Sequence, residues 1–218
     1  MRKRLPLLVI EIFSDVICPW CFIGKRRLDQ ALSSGVEAAV ELRWRPYQLY
    51  PQIPLEGHDR QKFLEQRYGA NADRGRLPAR LEQEAEQEGL KLRYDLIERT
   101  PNTLLAHRLM ELAHEEDCQH ALAESLFQAY FCQGRDVGDT SVLVDIAREV
   151  GMDASAAASY LAGDGGLAAV QEQLARAMDI GVSGVPGYYL ANGFLLPGAQ
   201  TSDTMVQIIN RVQQRMPA

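Results

Sequence analysis

Cys18-Pro19-Trp20-Cys21 is the stretch of this 218-residue chain whose residue types and spacing can do chemistry. Two cysteines three positions apart on a first helical turn hold their sulfurs close enough to bridge with little backbone movement. A helix N-terminus presents unpaired N–H groups and positive dipole density, which favours a thiolate at the first cysteine over the second. Cys18 is therefore the expected nucleophile and Cys21 the expected resolving thiol of thiol–disulfide exchange. The spacing would also serve as half of a zinc site. Zinc pairs usually sit on turns with a second pair downstream, however, and no second Cys-x-x-Cys follows.

Other residues carry two readings each. Asp15 either takes part in proton transfer at the thiols or satisfies turn backbone. Trp20 either shapes the thiol environment and offers substrate an apolar surface, or is an inert exposed aromatic. His114, Cys118, His120 and Cys132 invite a metal site, but His120 would face away from the side shared by 114 and 118, and Cys132 is fourteen residues from Cys118. Single cysteines are common core residues, so no metal is expected. Val185-Pro186 sits in the Gly-rich loop Gly181-Val-Ser-Gly-Val-Pro186 just before a strand, a setting that tolerates a cis peptide.

The elements that must position these groups follow from pattern. Leu7 to Ser14 is dense in β-branched and aromatic residues and reads as a buried strand, interrupted only by Glu11. Pro19 opens a helix running to about Leu32, and Val40 to Leu49 alternates as a half-exposed strand broken at Pro46. From Pro54 to Gly163 no convincing strand appears. That block reads as helices near 61–68, 77–88, 103–116, 119–131, 141–150 and 153–161, with Asn102 capping the third. Leu81-Glu-Gln-Glu-Ala-Glu-Gln-Glu88 has the look of a solvated face. A helix over 167–178, strands at 187–191 and 194–196 around the hairpin signal Asn192-Gly193, and a last helix from Ser202 close the chain. The class is α/β, with a split sheet: residues 1–53 and 164–218 form one domain and residues 54–163 an all-helical insertion, since neither half has enough strands alone.

Composition narrows the function. With 46% hydrophobic residues the chain can build a core, so disorder is excluded as a whole-chain description. The uncharged apolar run Leu5 to Ile10 is far short of the roughly 20 residues a bilayer needs. A formal charge of −6 supplies no basic field for nucleic acid or anionic lipid. Met1-Arg2-Lys3-Arg4 before that run mimics a secretory signal, but Glu11 interrupts it and no Ala-x-Ala-like cleavage site precedes Asp15. The expectation is a cytoplasmic protein with reactive rather than structural cysteines.

Cys18-Pro19-Trp20-Cys21 after a strand, the long helical block, and Gly184-Val185-Pro186 before a terminal hairpin and helix resemble the DsbA family of thioredoxin-fold proteins. Phe13-Ser14-Asp15-Val16, Trp44-Arg45-Pro46-Tyr47-Gln48-Leu49, Asn102-Thr103 and Gly198-Ala199-Gln200 are similar to its FrnE-like branch, the neighbour of 2-hydroxychromene-2-carboxylate isomerases and kappa-class glutathione transferases. The resemblance implies a thioredoxin fold and a cis Pro186 across from the cysteines. It also implies that Pro19, Trp20, Val185 and Pro186 contact substrate, with Val185 backbone binding an extended segment, and that His107 and Arg108 lie near the site wall. The implied substrate is a thiol or disulfide, protein or small molecule, and no cofactor is needed. Glutathione is the possible co-substrate: Ser202 and Asp203 lie where glutathione-using relatives hold the γ-glutamyl end, a place a plain helix cap also explains. Periplasmic relatives often carry His where Trp20 stands, so a strongly oxidising character does not carry over. The isomerases and transferases usually have Ser in place of Cys18 and lack the second thiol. Both cysteines are present here, which favours redox chemistry over the alternative, a glutathione-dependent isomerase or transferase acting on a small aromatic compound. A non-enzymatic binding or redox-sensing protein is the third possibility.

Overall fold

A computed structural model describes residues 7–37, 39–191 and 193–216. In chain order its elements are β1 (Leu8–Ser14), α1 (Pro19–Ser34), β2 (Val40–Pro46), β3 (His58–Asp59), α2 (Arg60–Tyr68), α3 (Ala79–Gln87), β4 (Arg99–Thr100), α4 (Leu104–Glu115), α5 (Gln119–Phe127), α6 (Thr140–Glu149), α7 (Ala154–Ala162), α8 (Leu167–Asp179), β5 (Gly187–Leu190), β6 (Phe194–Pro197) and α9 (Ser202–Gln214). A short 3-10 turn at Tyr94–Leu96 precedes β4, and α5 runs on into one π-helical turn at Gln128–Cys132. The signal-like N-terminal residues, and Asn192 of the Asn192-Gly193 hairpin signal, lie outside the described residues.

One sheet joins the two ends of the chain in the order β2-β1-β5-β6. β1 runs parallel to β2, with Ile12 opposite Trp44, and antiparallel to β5, with Ile12 opposite Tyr188. Alternation along β1 sorts its side chains between two layers. Leu8, Ile10 and Ile12 pack into the main core with Phe22, Ile23 and Leu28 of α1 and Met205 and Ile209 of α9. On the opposite face Phe13 meets Ala177 of α8 and Val182. Glu11 shares that face, and its carboxylate accepts hydrogen bonds from Arg45 of β2 and Arg176 of α8.

Residues 54–163 carry α2 to α7, and they also carry the antiparallel ladder β3–β4, which pairs His58 with Thr100 and Asp59 with Arg99. The expectation of an all-helical block is corrected by this pair. Two-residue strands are too short to leave a period-2 signal. An aromatic stack fastens the block to α1: the Phe22 ring lies 5.2 Å from Phe127 and 6.2 Å from Phe131, and Tyr94 lies 6.0 Å from Phe131. Gly134 ends the π turn at φ +69°, where a Cβ would collide with the Leu96 carbonyl, so the return of the chain needs glycine. The expected solvated face of α3 is also corrected. Leu81 and Ala85 are buried, and Arg27 of α1 pairs with Glu84 at 2.5 Å and Glu88 at 2.6 Å.

Candidate active site

Strand β1 ends at Ser14, and the chain turns through Asp15-Val16-Ile17 before α1 begins. The Cys18 N–H donates to the Asp15 carbonyl at 2.9 Å, which closes that turn. Cys18 occupies the N-cap of α1 with extended backbone (φ −92°, ψ 112°), and Pro19 takes the first helical position, where its missing N–H costs nothing. Both cysteines are free thiols; Cys18 is 4% exposed and Cys21 1% exposed. Burial pushes the Cys21 thiol well above its ordinary value. The neighbouring Cys18 adds to that rise, while the Ser14 hydroxyl and the Asp15 backbone pull the other way.

The Val185–Pro186 peptide bond is cis. The loop between α8 and β5 lies beside the start of α1, where the Cys18 thiol donates to the Val185 carbonyl across 3.6 Å. Gly24, two turns into α1, supports the same loop from below. A Cβ there would strike the Tyr188 hydroxyl and lie 3.0 Å from Cγ of Pro186. Gly24→Ala is therefore expected to lower stability by about 1–3 kcal/mol through overpacking, although alanine is the better helix former by roughly 1 kcal/mol. Thermal denaturation reads the sign: a raised midpoint would mean that the Tyr188 ring and Pro186 yield freely.

Asp15 is fully buried, and its carboxylate accepts from the Leu49 N–H at 2.8 Å. Its second oxygen has no hydrogen-bond partner and faces Nε2 of His107 at 3.6 Å, and that nitrogen also lies 3.0 Å from the Tyr47 carbonyl. His107 thus reaches the back of the cysteine turn from α4. Arg108, beside it, points elsewhere and donates to carbonyls of Tyr160, Gly163 and Gly165. The N-cap of α4 is Thr103 rather than the expected Asn102, which stands one residue earlier and whose side-chain oxygen accepts from the Leu104 N–H at 2.9 Å.

Cys18, Pro19, Trp20 and Val185 line one cleft of about 760 Å³. Its other walls come from the helical block: Phe63, Leu64 and Tyr68 of α2, Tyr94, Thr100 and Tyr130. Tyr50 and Arg60 complete the aromatic and cationic character of the lining. None of these block residues was singled out in the sequence, because no local spacing relates them to positions 18–21. Trp20 is half-buried there, with the Arg80 guanidinium 5.7 Å above its ring. Ser202 and Asp203 do not line the cleft. They begin α9 behind Thr201, whose hydroxyl accepts from the Thr204 N–H and is the actual cap.

Among the described residues no group of three or more His, Cys, Asp and Glu could hold a metal ion, and no helix is long and apolar enough to cross a membrane. His120 has both ring nitrogens engaged, one with the Trp44 indole at 3.3 Å and one with Asp29 at 2.7 Å.

A curated relative, the uncharacterized protein YwbO of Bacillus subtilis, is 26% identical over 211 residues, 94% of this chain and 98% of its own. The probable DsbA oxidoreductase SCO1869 of Streptomyces coelicolor superposes with a TM-score of 0.84 at 27% identity, covering 97% of this chain and 92% of that one. The cytosolic disulfide reductase DsbM of Pseudomonas aeruginosa, solved with GSH, shares the fold at a TM-score of 0.63 and 14% identity, over 94% of this chain and 96% of its own. The model of the DSBA-like thioredoxin domain matches residues 9–210, and the chain belongs to that family.

Proposed function

We propose that this protein is a thiol–disulfide oxidoreductase in which Cys18 is the nucleophile and Cys21 the resolving thiol. The observation that carries the reading is the approach of the Cys18 sulfur to the Val185 carbonyl at a cis-proline loop, 3.6 Å apart, at the edge of an open cleft. Cys18 as thiolate attacks one sulfur of a substrate disulfide. The S–S bond breaks, one substrate thiolate leaves, and a mixed disulfide forms. Cys21 then gives up its proton and attacks Cys18, releasing the second substrate thiolate and leaving a Cys18–Cys21 disulfide. Run backwards, the same steps oxidise a dithiol.

In this proposal Pro19, Trp20, Val185 and Pro186 contact the substrate, and Asp15, with His107 behind it, is placed to exchange protons near the thiols. Residues 1–53 and 164–218 act as the thioredoxin-like domain, and residues 54–163 as the insertion that closes the cleft. The setting is cytoplasmic, and glutathione is the reducing co-substrate, as the GSH bound to the fold relative DsbM makes chemically reasonable. A glutathione-dependent isomerase or transferase is the second reading; Ser202 and Asp203, in the first turn of α9, are the residues it would use.

Equilibration in a series of glutathione redox buffers, followed by alkylation and mass measurement, tests the proposal. The expected result is a single two-electron transition between dithiol and Cys18–Cys21 disulfide, whose midpoint gives the direction of electron flow. If Cys18 takes up glutathione alone and no intramolecular disulfide forms, the dithiol reading is wrong and the second reading replaces it.

A further inference from the structure

Arg60 is half-buried and incompletely partnered, whereas the more buried Arg108, which also lacks a carboxylate, has its guanidinium on three backbone carbonyls. Arg27 pairs with Glu84 and Glu88, and Arg45 and Arg176 pair with Glu11. Arg60, at the first position of α2, has no carboxylate within 4.0 Å among the described residues. One guanidinium nitrogen donates to the Tyr130 hydroxyl at 3.4 Å, the group lies 5.0 Å from the centre of the Tyr94 ring, and its Nε is buried with no hydrogen-bond partner. The Thr100 hydroxyl, on a residue 2% exposed, is likewise buried and unpartnered. Both residues line the cleft that contains Cys18. Arg76 adds a second guanidinium to that lining, against Asp73 as its one described carboxylate, one of whose oxygens accepts from the Gly75 N–H at 2.8 Å.

Nε of Arg60 and the Thr100 hydroxyl are each buried without a partner beside the same cleft, which is costly unless a ligand completes them. A planar carboxylate fits: it accepts from the guanidinium fork and from a threonine hydroxyl at once. The lining also carries six aromatic rings, from Trp20, Tyr50, Phe63, Tyr68, Tyr94 and Tyr130, among aliphatic side chains such as Leu49, Leu64 and Leu81. A cleft of about 760 Å³ lies in the size range of small-molecule sites.

We propose that Arg60, held by the Tyr130 hydroxyl, and Thr100 form a carboxylate subsite, and that the substrate is a small disulfide or thiol carrying an acid group on an aromatic body. The inference rests on the redox reading of Cys18 and Cys21 and supplies its substrate class. The carboxylate docks at Arg60 while a sulfur of the same molecule lies against Cys18. The dithiol then passes two electrons to the substrate disulfide, which leaves as two aryl thiolates.

Dithiobis(nitrobenzoate) and dithiodipyridine are suitable probes, an aromatic disulfide with carboxylates and one without. The rate constant for modification of Cys18 is measured with each, in a Cys118→Ser, Cys132→Ser background. In Arg60→Gln the ratio of the two rate constants, charged over uncharged, is expected to fall about tenfold or more, as loss of a charge-assisted pair implies. Thr100→Val lowers it less. In the chain with Arg60 intact, nitrobenzoate slows the reaction and nitrobenzamide does not, which tests the subsite even if Arg60→Gln fails to fold. A ratio within about twofold of the parent chain in a folded Arg60→Gln, or equal inhibition by the two competitors, overturns the subsite. If Cys18 reacts with neither disulfide, the redox reading falls instead. The subsite then stands or falls on nitrobenzoate binding measured by calorimetry, retained in the parent chain and lost in Arg60→Gln.

Discussion

Cys18→Ser is expected to reduce the turnover of a disulfide substrate by on the order of a thousandfold or more, because it removes the thiol proposed to form the mixed disulfide. Cys21→Ser has a different signature. The first attack proceeds, but nothing resolves it, so the protein accumulates as a covalent adduct with its substrate. The burial that raises the Cys21 thiol well above its ordinary value adds a pH dependence. Attack requires the thiolate, so while the pH stays below that raised value the resolving step should quicken by about tenfold per pH unit. Rapid quench by acid, with mass analysis of the mixed disulfide, separates the two steps. A Cys18→Ser protein that still turns over would remove Cys18 from the role of nucleophile. A resolving step flat between neutral and alkaline pH would mean that another group takes the Cys21 proton during the attack.

The half of this site that is local in sequence was legible, and the half that is not local was hidden. Cys18 and Cys21 share one helical turn, and Pro19 at the first helical position announces where that turn starts, so spacing alone gives their relation. Pro186 is 165 residues beyond Cys21. Its approach to Cys18 depends on β1 and β5 being neighbours, which a resemblance could imply and periodicity could not. Apart from the two-residue strands β3 and β4, the strands and helices came through with small errors at their ends, because buried stripes and turn residues mark them. Arg60, Thr100 and Tyr130 left no mark. Each belongs to a different element of the helical block, and only tertiary packing makes them one wall of the cleft. The acidic run in α3 misled for the same reason, since Glu84 and Glu88 look solvated until Arg27 of α1 is set beside them.

Glu11 is the strongest example, and its replacement should have the largest effect on stability. In the sequence it is merely a charge that breaks an apolar strand. In the fold it is 5% exposed, and its carboxylate takes Nε of Arg45 at 2.7 Å and two nitrogens of Arg176 at 2.7 and 2.5 Å. It thereby ties β1 to β2 and to α8, the helix from which the chain runs on to Val185 and Pro186. Burial alone would raise its pKa, but hydrogen bonds from Arg176 and Arg45 outweigh that and hold the carboxyl below its ordinary 4.5. Glu11→Ala strips the partner from Arg45, whose side chain is only 13% exposed, and from Arg176, which is 38% exposed and can turn to water. Breaking a fully buried pair costs roughly 3–5 kcal/mol; with one partner at the surface the expected loss is about 2–4 kcal/mol. Arg45→Met should cost less than Glu11→Ala, and Arg176→Met least. The sign with pH follows from the lowered value. A carboxyl depressed in the folded state contributes its stability above the unfolded value, and that contribution is lost as pH falls through the folded one. Denaturant titrations of the parent chain and Glu11→Gln should therefore differ fully at neutral pH and converge on acidification below about pH 4. A gap that persists undiminished in acid would assign the loss to shape rather than charge, and the three-element tie to packing around the Glu11 side chain.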